Sequence, residues 1–112
     1  MGPKSRRIAM TWHNTRARWR ILREVAAGSD HDPTGELPWN DEYAEVFGDR
    51  ESLVAALRYR WTNAQRAQLD LFLTEPVLEE RREDLSRRNA GVLRILARYD
   101  AEKSREALAH AS

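Results

Sequence analysis

Between Gly48 and Pro76 the chain runs without a glycine or proline, and its apolar residues recur with the period of a helix. Leu53, Val54, Leu57, Trp61, Ala64, Leu71 and Phe72 share one stripe when successive residues advance by 100°. Gly48 breaks whatever precedes it, and the Asp49 carboxylate can accept an amide of the first turn. The pattern predicts a helix over 50–75. A helix with one strongly apolar face gains most of its stability from packing, so other helices must cover it. Gln68 falls inside the stripe. A buried amide there needs a helix partner, a water or a subunit interface to satisfy it.

The flanking segments can supply the cover. A first helix is predicted over 11–27, with Thr11 as its N-cap and Gly28 as the residue that ends it. Ile8, Trp12, Thr15, Trp19, Leu22 and Ala26 lie on its stripe, and Ile21 and Val25 widen it. Turn formers fill 29–38, which reads as a loop. A short helix follows over 40–47, capped by Asn40 or Asp41, with Trp39, Tyr43, Val46 and Phe47 along its apolar edge. Pro76 favours a helix start, giving one over 77–88. Asn89-Ala90-Gly91 is either a break, with Asn89 as a new N-cap, or a soft point in one long helix, since Leu78, Leu85, Val92 and Tyr99 recur every seven residues. The break is the favoured reading, and Val92, Ile95, Leu96 and Tyr99 stripe a last helix over 90–108.

The expected fold is all-α, a small antiparallel bundle of four to five helices joined by short connections. Residues 1–10 are expected to form a basic disordered tail, 11–108 the bundle, and 109–112 a frayed end. The expected core holds Trp19, Leu22, Leu53, Leu57, Trp61, Phe72, Leu85, Val92 and Leu96.

Composition narrows the function. The chain has 112 residues, which suits one domain. It has no cysteine, so disulfides, thiolate zinc sites and cysteine nucleophiles are excluded. The basic start is followed only by Ile8-Ala9-Met10 as an apolar run, too short for a signal core or a membrane span. The chain reads as cytoplasmic. Net charge is only +1, but it is unevenly spread. Residues 1–28 carry seven basic side chains against Glu24, and 29–56 carry eight acidic ones against Arg50. These halves either pair within the chain or present charged faces to a partner.

No phosphate loop, His-Glu metal helix or nucleophile elbow is present, so no catalytic set, cofactor or metal site is assigned. Asp30, His31 and Asp32 are metal-capable neighbours without a distant third ligand. Glu42 and Glu45 could pair with His13, a meagre basis for acid–base chemistry. The chain therefore reads as a non-enzyme. Four tryptophans are a heavy aromatic load for so few helices, and some of them suit an interface. Trp12, Arg16, Trp39 and Tyr43 are the candidate partner-binding residues, and self-association as a homodimer is expected. The alternative is weak nucleic-acid binding without sequence preference. Arg6, Arg7, Arg16, Arg20 and Arg23 would follow the backbone, and Trp19 would stack on bases.

Two resemblances accompany this reading. Val46-Phe47-Gly48-Asp49-Arg50-Glu51-Ser52-Leu53 resembles the turn and helix start that follow the recognition helix of TetR-type repressors. That likeness implies DNA reading, yet Trp39–Phe47, in the place of a recognition helix, is acidic rather than basic. More broadly, the frame from Trp12, Arg16 and Trp19 through Leu37-Pro38-Trp39-Asn40 to Tyr59-Arg60-Trp61 resembles short all-helical proteins of high-GC actinobacteria. It covers about the first two-thirds of the chain and implies a fold without implying a function.

Overall fold

The computed structural model describes residues 3–69 and 73–111, with side chains over 14–68 and 73–111. Among these residues are five helices and no strand: α1 (Pro3–Ser29), α2 (Asp41–Phe47), α3 (Arg50–Leu69), α4 (Glu75–Arg88) and α5 (Ala90–Ala111). None of these helices is long and apolar enough to cross a membrane.

The helix ends follow from local chemistry. Asn40 caps α2, its Oδ1 accepting the Tyr43 amide at 2.8 Å. Gly48 then adopts φ 88°, a left-handed turn that only glycine enters without strain. Asp49 caps α3 as its sequence predicts, Oδ1 accepting the Ser52 amide at 2.7 Å. The break expected at Asn89 is present. Its side-chain amide donates to the Leu85 carbonyl at 2.8 Å and closes α4, while its own carbonyl accepts the Leu93 amide of α5.

Three boundaries differ from expectation. First, α1 begins at Pro3 rather than Thr11, because no breaker lies between Pro3 and Gly28 and proline suits a first turn. Second, Gly28 does not end α1. It is helical, and the helix closes one residue later, with the Ser29 hydroxyl donating to the Ala26 carbonyl at 2.7 Å. Third, α3 is helical to Leu69, Leu73 and Thr74 are non-helical, and Glu75 already belongs to α4. Proline in the first turn of α4 loses no helical hydrogen bond, so Thr74 can stand as the cap residue.

The core is built from Ile21, Leu22 and Val25 of α1, Tyr43 and Phe47 of α2, Leu53, Val54 and Leu57 of α3, and Val92, Ile95 and Leu96 of α5. α5 packs on α1, α3 and α4, while α2 packs on α1 and α3. Gly91 makes the α1–α5 contact possible. A Cβ there would lie 2.6 Å from the Ser29 carbonyl oxygen and would also meet its hydroxyl.

Three expected core residues are displaced. Trp19 is 56% exposed, because the buried face of α1 centres on Ile21 and Val25 and leaves position 19 outside it. Trp61 and Leu85 are only half-buried, since α4 contributes no fully buried residue. Leu71 and Phe72 lie outside the described residues. From Asp100 to Ala111 every residue of α5 is exposed. The radius of gyration is 17.4 Å, against about 13 Å for a compact domain of this length. Exposed helix surface is therefore a large share of the molecule.

Candidate functional site

The expected contact corner is turned inward. Tyr43 is 7% exposed, and its hydroxyl donates to Glu24 Oε2 at 3.2 Å. Burial raises its pKa, and the Glu24 carboxylate adds to the shift. Its ring belongs to the core and cannot serve as a contact surface. Trp39 is half-buried against that core, with the Arg50 guanidinium 5.6 Å from its ring centre. The sequence marks Trp39, Tyr43, Val46 and Phe47 as one apolar edge, and in the structure that edge packs on the core instead of being left for a partner. The Tyr43–Glu24 bond ties α2 to α1 on that side.

The charged halves meet at a few points. Arg20 contacts Glu24 at 2.9 Å and Glu42 at 3.1 Å, and these bonds, Glu42 first, raise its pKa. Arg18 stacks on Phe47 at 4.8 Å. Arg16 and Arg23 are exposed. The side chains of Arg6, Arg7, Trp12 and His13 lie outside the described residues. Of the proposed basic set, then, Arg20 is committed to an internal ion-pair network, and Arg16 and Arg23 remain on the surface. The acidic loop is organised locally. Asp32 accepts the Thr34 amide at 2.9 Å and hydroxyl at 2.6 Å, which lowers its pKa. Arg94 and Arg98 of α5 hold this loop by donating to the Ser29 and Thr34 carbonyls, each at 3.1 Å. Among the described residues no three His, Asp or Glu side chains gather where one cation would reach them all.

The displaced Trp19 marks a different surface. α1 and α3 each pack on α2 and α5 rather than closely on one another. Between them lies an open groove of about 600 Å³. Leu22, Ala55 and Ala56 line it, with Trp19 on the α1 bank and Tyr59 on the α3 bank. Trp19 is 56% and Tyr59 69% exposed, so both rings offer broad faces to solvent. Among the described residues the lining includes two arginines, Arg18 and Arg60, and no carboxylate. Arg60 Nη1 is out of water and has no acceptor among the described residues. Arg60 also lines a smaller, more enclosed cavity with Leu57, Trp61 and Val92.

Sequence reasoning gave no contact role to Ala55, Tyr59 or Arg60, and Tyr59 reads there as a surface tyrosine. Their signal is a second helical stripe on α3, at Ser52, Ala55, Ala56, Tyr59 and Asn63, small residues beside one large ring. It is weaker than the Leu53–Trp61 stripe and lies on the face that reads as wet. A second, mixed-charge cleft of about 760 Å³ runs between the loop at Gly35–Leu37, Trp39, Arg50 and the Arg98–Lys103 stretch of α5. Its acids and bases largely answer one another, as in the Arg98–Glu102 pair at 3.1 Å.

Comparison with protein-family models, with curated proteins and with solved structures gives no match.

Proposed function

We propose that the protein is a small helical interaction module that binds a protein partner, a second copy of itself included, through the α1–α3 face. The observation that carries this reading is the pair of exposed rings, Trp19 of α1 and Tyr59 of α3, that line one groove with an apolar floor. Large aromatics at the rim of a concave apolar patch are costly in a monomer and are favoured as interface anchors. Charge supports a head-to-tail contact between copies. The groove is basic, whereas Glu36, Asp41, Glu45 and Glu51 are exposed on the acidic segment. Two like-charged grooves facing each other would repel. A chain without cysteine also suits the reducing cytoplasm. No catalytic role is assigned.

Sedimentation over a micromolar concentration series tests the reading. The weight-average mass is expected to rise above the 13.0 kDa of one chain and to fall back in Trp19→Ala. A mass fixed at one chain throughout defeats self-association. Nucleic acid is the second reading, favoured by Arg16, Trp19 and Arg23 lying at helical spacing with all three exposed. It predicts salt-sensitive binding of single strands that Arg16→Glu with Arg23→Glu abolishes.

A further inference from the structure

The geometry points to one occupant for the α1–α3 groove: an acidic amphipathic helix of a partner protein, with an apolar side chain seated between Trp19 and Tyr59 and its acidic flank facing Arg18 and Arg60. This rests on the reading of that face as a protein-binding surface and adds the chemistry of what it binds. Three observations carry it. The groove lies between two helices, where a third can pack its ridges as bundle helices do. Its floor is Leu22, Ala55 and Ala56, and the two alanines leave room for a bulky side chain. Its charge is one-sided: among the described residues Arg18 and Arg60 line it and no carboxylate does.

A carboxylate suits these two guanidinium groups because guanidinium and carboxylate form paired, charge-assisted hydrogen bonds. In the neighbouring contacts the same chemistry is already satisfied. Arg20 has Glu24 and Glu42, and Arg58 has Asp100 at 2.7 Å. Arg18 stacks on the face of Phe47 and has no carboxylate partner among the described residues. A nucleic-acid strand would use the rings equally well, but it needs a run of cations along its phosphates. The apolar floor offers none, which favours a protein helix.

A display library of amphipathic helical peptides, with the apolar stripe held and its flanks randomised, tests the inference on the full chain. Acidic flanks are expected to be enriched, and the selected peptides should bind at least about tenfold more tightly than isomers with lysine in place of the acids. Arg60→Met should remove most of that preference. Arg60 also reaches toward the core, so a second variant guards the result. Ala55→Glu places a carboxylate in the groove from an exposed position, and should abolish acidic-peptide binding while leaving the thermal melt unchanged. Enrichment of basic or neutral flanks overturns the inference. So do equal affinities for the parent and Ala55→Glu, selection of no groove-dependent peptide, or displacement of the peptides by single-stranded RNA at lower concentration. The failures are separable. Concentration-dependent mass lost in Trp19→Ala would keep the interaction reading even if acidic helices did not bind.

Discussion

Two side chains at the end and start of neighbouring helices show how single polar groups fix this fold. Tyr43 is an apolar ring in the core with one polar atom, and that atom finds Glu24 of α1. Tyr43→Phe keeps the packing and removes the bond, so denaturant unfolding should show a loss of about 1 kcal/mol. An unchanged midpoint would mean that α2 is held by burial alone. Asp49 acts electrostatically. Hydrogen bonds from Ser52, side chain first and then backbone, hold its carboxyl below the usual range. A depressed folded-state pKa stabilises above the unfolded value, about 3.9, and that contribution is lost as pH falls through the folded value. Stability of the parent should therefore drop in this acid window. Asp49→Asn, which can still cap without titrating, should lack that component.

At the scale of helices, the decisive contact is the approach of α1 to α5 at Ser29 and Gly91. Gly91→Ala drives a methyl group into the Ser29 backbone and should destabilise by about 1–3 kcal/mol through overpacking. Gly28→Ala is the control. Nothing lies within 4 Å of its added Cβ, and helical alanine is favoured over glycine by about 1 kcal/mol, so thermal stability should hold or rise. Equal losses at both positions would mean the helices do not meet at Gly91. This contact also shows where sequence reading stops. The caps at Asn40 and Asp49, the turn at Gly48 and the break at Asn89 are local, and their residue types announce them. Gly91 reads only as part of a break, because its packing role depends on Ser29, far away in the chain. The rotation of α1 is hidden for the same reason. Trp19 and Ile21 are both apolar, and only the placement of α2 and α5 selects Ile21 for the core.

For the whole molecule, the balance of buried and exposed apolar surface is the feature that points to function. α4 buries no residue fully, α5 runs on past the core, and Trp61 is only half-covered. Trp61→Ala should thus cost less than the about 3–5 kcal/mol of a fully buried tryptophan. Trp12 and Trp39 suggested an interface, but Trp39 packs inward and the Trp12 side chain lies outside the described residues. The surface that the fold leaves open is the groove between Trp19 and Tyr59, which becomes legible only once α1 and α3 are placed side by side. The central claim is that this groove is where the protein meets its partners. The most direct measurement is to follow the indole N–H signals of the four tryptophans by two-dimensional NMR while the protein is diluted from about 1 mM to about 10 μM, a span that brackets weak association. The Trp19 signal, assigned with Trp19→Phe, should shift or broaden with concentration while the Trp39 signal stays fixed. A Trp19 signal indifferent to concentration, or a response confined to Trp39, would contradict self-association through this groove.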